Sequence, residues 1–133
     1  MSFTDFLENE LLDHILGPGA YAAPATVYLG LSTTTPTDAG GNFTEPVGFA
    51  YARVAVTNNP ANWPAAVAGS KQNGTTITFA EATGSWGTIT HFGIFDAISG
   101  GNMLMKGALT TPKLIETGDV AQFNPSTITV TLD

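Results

Sequence analysis

The feature that most constrains the fold is a change in apolar spacing at Gly17-Pro18. Before this dipeptide, apolar side chains recur every three or four residues, which is the spacing of a helix with one apolar face. These residues are Phe3, Phe6, Leu7, Leu11, Leu12, Ile15 and Leu16. Ser2 or Thr4 is expected to cap a helix of about 12 to 14 residues, and Gly17-Pro18 to end it.

After Gly17 the apolar residues alternate, which is typical of β-strands with one buried face. The alternating segments are residues 25–33, 51–57, 75–79, 86–97, 103–109, 120–123 and 126–132. Turn sequences such as Asn73-Gly74 separate them. The pattern predicts a mainly β fold, an antiparallel β-sandwich or jelly roll of seven or eight strands with one N-terminal α-helix. We expect one domain over residues 1–133, with a helical arm at 1–17 and the sandwich at 25–132.

Two long polar stretches, residues 33–49 and 58–74, interrupt the early strands. Loops of this length in a compact domain usually have a function. Trp63 lies in the second stretch, and it is interpreted as covering the end of the sandwich, as an anchor between subunits or as a platform for a glycan. Trp86 begins a strand and is expected in the core.

The charge balance excludes several classes of partner. The chain has 4 basic and 11 acidic residues, a formal net charge of −7, and its basic residues are scattered. Nucleic acids and anionic membranes are recognised by clustered Lys and Arg, so neither is an expected partner. Charged residues make up only 11% of the chain, and such a weakly charged surface favours association. The acidic N-terminus and the lack of a long apolar run predict neither a signal peptide nor a transmembrane helix.

The sequence predicts no enzyme. His91 and Asp96 are five residues apart in one strand, so they should face opposite sides of the sheet, and Ser85 is not in a G-x-S-x-G motif. The chain has no cysteine, and its two histidines lack zinc-ligand spacing. The segment Asp38–Glu45 does not follow a calcium-loop pattern. We therefore expect no catalytic residue, no cofactor and no metal site.

Five segments together resemble one protein family: SFTDFLENELLDHILG, YLGLSTTTPTDAG, EPVGFAYARV, NPANWPAA and ATGSWGTITHFGIFDA. The family comprises small virion structural proteins of tailed bacteriophages, often labelled phage tail-fibre proteins, and the resemblance runs from residue 2 to about residue 132. It implies a virion location and no catalytic activity.

A single small domain without a shaft repeat favours a capsid decoration, or cement, protein that bridges capsomers. The alternatives are a tail-fibre or tail-tip component and a carbohydrate-binding β-sandwich used in host attachment. The expected partners are further copies of the chain, as a homotrimer, and the major capsid protein or other virion proteins; a host glycan is a weaker expectation. The protein should be assembled in the host cytoplasm and lie on the outer surface of the head or on the tail. The expected interface residues are Phe3, Phe6, Leu7, Leu11, Ile15 and Trp63.

Overall fold

The helix ends where the apolar spacing changes. In the computed structural model, which describes residues 1–132, helix α1 spans Asp5–Leu16. Thr4 is the N-cap residue, but its hydroxyl makes no capping bond. It donates instead to the carbonyl of Met103, so that Thr4 fastens the start of the helix to a strand about 100 residues further along the chain. Gly17 follows the helix in an extended conformation.

The described part of the chain contains nine strands. They are β1 (Ser2–Phe3), β2 (Thr26–Ser32), β3 (Val54–Thr57), β4 (Ser70–Gln72), β5 (Ile77–Thr78), β6 (Gly87–Phe95), β7 (Met103–Ile115), β8 (Gln122–Phe123) and β9 (Thr129–Thr131). Five of them form a sheet in the order β1-β7-β6-β2-β3, while β4 pairs with β9 and β5 with β8. Every pairing is antiparallel. The predicted fold class, a mainly β antiparallel sandwich with one helix, is confirmed.

The strands differ from the prediction in detail. Phe3, expected on the helix, lies in β1 and is paired with Met105 of β7. Strand β4 lies inside the predicted loop 58–74, where it pairs with β9. Strands β1 and β4 are too short to show an alternating pattern of apolar residues, and each forms by pairing with a strand that is distant in sequence. Strand β3 starts at Val54 rather than at residue 51, and β7 extends to Ile115 rather than ending at residue 109.

The core lies between the large sheet and the two short strand pairs. Leu29, Leu31 and Ile94 are almost fully buried on one face of the sheet. Ile77 and Ile128 belong to the same buried cluster from the other layer. Each such side chain contributes about 1.5–3 kcal/mol when it leaves water, so this contact between layers is the main source of stability. Trp86, expected in the core, is buried there.

Part of loop 33–53 covers the other face of the sheet. Glycines replace side chains at Gly30 and Gly93, which are opposite each other in β2 and β6. The Phe43 ring lies close to both glycines and meets the Phe95 ring edge to face, with centroids 5.0 Å apart. The two glycines therefore make room for an aromatic pair that holds the loop on the sheet.

Strand β7 is broken in its middle. His91 of β6 is paired with Ala108, and Ile89 is paired with Lys113. One residue of β6 therefore faces four residues of β7, Leu109–Pro112, which bulge from the ladder. Bulges bend a strand and interrupt its backbone pairing, so β7 consists of two short paired halves.

Candidate functional site

A groove lies at the open edge of the sandwich, between β7 and the segment that contains β8 and β9. Its volume is about 620 Å³. The floor is apolar and includes Leu31, Phe92 and Ile115, while exposed polar side chains, mostly hydroxyls and amides, form the rim. The rim residues include Thr110, Thr111, Lys113, Gln122, Asn124 and Thr127. No local pattern in the sequence indicates this edge groove, because its walls come from segments that are not adjacent in the chain.

Trp63 lines a second cavity, between the large sheet and the β4–β9 pair. This cavity has a volume of about 330 Å³ and is lined mainly by apolar side chains, among them Phe3, Ile94 and Val130. The Trp63 side chain is partly buried and packs against the core. Its indole Nε1 is buried and has no hydrogen-bond partner among residues 1–132. Its role as an interface anchor remains a prediction.

The predicted interface residues of the N-terminal segment separate into two groups. Leu7 is 4% exposed, and Phe3, Phe6 and Leu11 are partly buried against the same core. These four residues attach the segment to its own domain. Ile15 is 73% exposed, so within the single chain it contributes nothing to this attachment.

Two further leucines accompany Ile15 on the exposed side of the helix end. Leu12 is 58% and Leu16 is 82% exposed. Residues separated by three and four positions lie next to each other on a helix. Leu12, Ile15 and Leu16 therefore form one apolar surface, which we call the helix-end patch.

A second exposed apolar surface lies at a turn with unusual backbone geometry. Gly48, Phe49 and Ala50 all have positive φ, at 74°, 52° and 65°, a conformation that non-glycine residues adopt at an energetic cost. The indole of Trp86 donates to the Phe49 carbonyl at 2.9 Å. Because buried Trp86 fixes the turn, Val47 and Phe49 are displayed to solvent.

A buried ion pair anchors loop 33–53. The Arg53 guanidinium donates to both carboxylate oxygens of Glu45 at 2.9 Å and to the carbonyls of Ala97 and Gly100 at 2.8 Å. It also lies 3.5 Å from the centroid of the Phe95 ring. These hydrogen bonds engage four of the five guanidinium N–H donors, so the function of Arg53 is structural.

Tyr51 completes this network. Its hydroxyl donates to Glu45 at 2.8 Å and accepts the backbone N–H of Leu31 at 2.9 Å. Burial raises the pKa of the Tyr51 hydroxyl far above its ordinary value of 10.0, and the neighbouring Glu45 carboxylate adds to the increase. Tyr51 is therefore a neutral hydrogen-bonding group.

The polar residues considered for chemistry have separate partners. His91 shares a hydrogen bond with Thr90, and Asp96 accepts the backbone and side-chain N–H groups of Asn102. Asp38 forms a 2.7 Å ion pair with Lys106. Among residues 1–132, no three His, Asp or Glu side chains converge as metal ligands do. No helix in the same part of the chain is long and apolar enough to cross a membrane.

The fold and its surfaces thus define a β-sandwich module with buried polar anchors and exposed apolar patches. Residues 2–131 match a family model described as "Podophage GP4 fiber I protein gp80", and the chain belongs to this family. No curated protein matches it. The predicted resemblance to phage tail-fibre proteins is confirmed, and the family membership makes the chain a bacteriophage virion component. It favours the tail-fibre alternative over the capsid decoration protein that the sequence suggested first.

Proposed function

We propose that the chain is a non-enzymatic structural module of a bacteriophage tail fibre, where it packs against copies of itself and neighbouring virion proteins. The family match over residues 2–131 carries this proposal. The exposed apolar surfaces support a role in assembly, since large exposed apolar patches mark interaction sites. A homotrimer is the assembly proposed, with contacts from the N-terminal segment and the two long loops.

Cryo-electron microscopy of the virion tests the location. We expect density for this β-sandwich in the tail fibres, with three copies around one axis. Density over the capsid lattice would instead support a decoration protein, and density in neither place would contradict a structural role. Mass spectrometry of separated heads and tails provides an independent assignment.

The absence of catalysis is part of the proposal. His91 and Asp96 have separate partners, so they supply no shared proton-transfer arrangement of the kind that acid–base catalysis needs. Purified protein should not hydrolyse cell-surface polysaccharides of the host. Hydrolysis that disappears in the variant His91→Ala or Asp96→Ala would contradict this.

The edge groove supports a second function, glycan binding. Sugar hydroxyls both donate and accept hydrogen bonds, and the rim presents amides and hydroxyls such as Gln122, Asn124 and Thr127 above an apolar floor. A glycan array probed with wild-type protein and with Gln122→Ala tests this function. Glycan binding by the wild type that is lost in Gln122→Ala would support this function. Equal signals from the two proteins would exclude the edge groove as the glycan-binding site.

A further inference from the structure

The edge groove differs in charge from the chain as a whole. The chain has 11 acidic residues and a net charge of −7, yet among residues 1–132 no Asp or Glu lines the groove, and its one charged side chain is Lys113. Glu116 and Asp119 follow β7 in a turn outside this lining, where the Asp119 carboxylate accepts the backbone N–H of Glu116 at 2.8 Å. A negatively charged ligand is therefore attracted by the groove itself, while the acidic remainder of the chain repels it.

Lys113 lies on the core-facing side of the large sheet. It is paired with Ile89 of β6, and residues paired across an antiparallel ladder project from the same face. Ile89 is 1% exposed, whereas Lys113 is exposed because the sandwich is open at this edge. A lysine can lay its alkyl chain along an apolar surface and keep its ammonium group in water. The register therefore places the charge of Lys113 beside the apolar floor of the groove.

The ammonium group of Lys113 is free to bind a ligand. The other three basic residues bind a carboxylate or a carbonyl of their own chain, namely Arg53, Lys71 and Lys106. Within residues 1–132, the Lys113 side chain forms no ion pair and no hydrogen bond. Its charge is therefore not neutralised by the described part of the protein.

The rim and floor of the groove favour a saccharide over a peptide. An extended peptide would be held by backbone pairing with the free edge of β7, but the bulge at Leu109–Pro112 interrupts that edge. Contacts must come from side chains, and the hydroxyls and amides of the rim can both donate to and accept from sugar hydroxyls. On the floor, the Phe92 and Phe123 rings, with centroids 5.1 Å apart, provide an apolar surface for the C–H face of a sugar ring.

We propose that the edge groove binds an acidic saccharide, and that Lys113 holds its negatively charged substituent, a carboxylate or a sulfate, while the sugar ring lies on the apolar floor. This inference rests on the proposed glycan-binding function of the groove and specifies the chemical class of the glycan. Because a lysine binds an anion as a point charge, Lys113 selects for the charge of the sugar.

The test uses an array of acidic bacterial polysaccharides, each beside its carboxyl-reduced form, together with sulfated polysaccharides and their desulfated forms. The wild type should bind an acidic polysaccharide about tenfold more tightly than the neutral form of the same polysaccharide, since one charge-assisted contact is lost with the charge. Lys113→Gln should weaken binding of the acidic form by about the same factor and leave binding of the neutral form unchanged. Lys113→Arg, which keeps the charge, should bind within about threefold of the wild type. Loss of binding on carboxyl reduction or on desulfation identifies the charged group.

The matched control is Lys71→Gln. It removes the same charge from a residue outside the edge groove, so its binding should equal that of the wild type. The thermal midpoint of Lys113→Gln should also equal that of the wild type, because this side chain is exposed. A loss of binding in this variant is then a loss of contact with the glycan.

Three results would overturn the inference. They are equal binding of acidic and neutral forms, binding of an acidic form that Lys113→Gln leaves unchanged, and a wild type that binds no acidic polysaccharide. The second result would leave Lys113 with a protective role, since inward-pointing charges keep other chains from pairing with a sheet edge. Equal binding of both forms that is lost in Gln122→Ala would refute the charge preference while the groove remains a glycan site. The location of the chain in the fibre is measured separately by microscopy, so the proposed structural function does not depend on these outcomes.

Discussion

Two segments that connect strands are anchored by buried polar residues of different kinds. Loop 33–53 is held by a charged residue, Arg53, which binds Glu45 and two backbone carbonyls. The segment after β4 is held by a neutral residue, Asn73, which is 1% exposed. The comparison shows two ways in which a polar side chain can be buried. Arg53 is buried beside its counter-ion, Glu45, whereas every hydrogen-bonding group of the Asn73 amide has a partner.

Asn73 uses its complete hydrogen-bonding capacity. Its Nδ2 donates to the carbonyls of Thr75 and Asn124 at 2.9 and 2.8 Å. Its Oδ1 accepts the backbone N–H groups of Thr127 and Ile128 at 3.1 and 2.9 Å. One side chain thus joins the segment after β4 to the segment that leads into β9. Substitution of Arg53 should lower the free energy of unfolding more than substitution of Asn73, because loss of Arg53 leaves the Glu45 carboxylate without its counter-ion.

The largest effect is expected for Arg53→Met. The substitution leaves the Glu45 carboxylate without its partner and abolishes the contact with the Phe95 ring. We expect the free energy of unfolding to fall by about 3 kcal/mol, near the lower end for a broken buried pair because Glu45 keeps some exposure. Chemical denaturation measures this value. Lys106→Met, which breaks the more exposed pair with Asp38, should cost less than about 1 kcal/mol; equal losses in the two variants would refute the distinction between them.

Asn73→Asp should have the next largest effect. The carboxylate cannot donate, so two carbonyl acceptors lose their partners and face a negative charge instead. A loss of about 2 kcal/mol at neutral pH is expected. The control is Gln72→Glu, the same amide-to-carboxylate change at the exposed neighbouring residue, which should change stability by less than about 0.5 kcal/mol. A tolerated Asn73→Asp substitution would show that the amide donors are dispensable.

Tyr51→Phe tests the neutral member of the charged anchor. At neutral pH we expect a loss of about 1 kcal/mol from the missing hydroxyl. Because burial raises the pKa of the folded tyrosine, its contribution is complete below the unfolded value of 10.0 and declines as the pH rises above it. The stability difference between wild type and variant should therefore narrow above pH 10. Denaturation curves at neutral and alkaline pH measure this difference, and a gap that stays constant would contradict it.

The smallest effect is expected for Trp63→Phe in the second loop. The buried indole N–H has no partner among residues 1–132, so its removal sacrifices no hydrogen bond. The change in thermal midpoint should be within a few degrees, in either direction. Trp86→Phe, which removes the bond to the Phe49 carbonyl, should lower the midpoint clearly more. If Trp63→Phe is the more damaging variant, the indole N–H has a partner in solution.

Helices and strands with a regular local pattern of apolar residues could be predicted from the sequence. Strands that form only through pairing with a distant segment could not. Helix α1 and strand β6 have long, regular patterns, and both lie close to their predicted limits. Strand β1 contains two residues and depends on Lys106 and Met105 of β7, which no local pattern reveals. The exposure of Ile15 could not be predicted either. An apolar residue at helical spacing indicates a buried position, but the spacing does not show which surface buries it.

The candidate site was predicted less well than the fold. Trp63 was singled out as a loop tryptophan, and the structure places it in the lining of the second cavity. The edge groove, by contrast, joins residues as distant in sequence as Met1 and Thr129. Arg53 and Glu45 are eight residues apart and were not recognised as a pair, because their distance in the fold depends on how the intervening loop turns back. The Gly48–Ala50 turn fixes that path through backbone conformations that the sequence of Phe49 and Ala50 does not favour.

The break in β7 has a consequence for how this edge of the sheet can meet another molecule. A continuous free strand edge invites backbone pairing with other chains and leads to insoluble aggregates. Here β1 occupies the Met105–Lys106 stretch, the bulge at Leu109–Pro112 diverts the middle, and Pro112 has no N–H to offer. Too little regular backbone remains at this edge for the sheet to continue into another molecule. At this edge of the sheet, contacts with another molecule are therefore expected to involve side chains rather than backbone pairing.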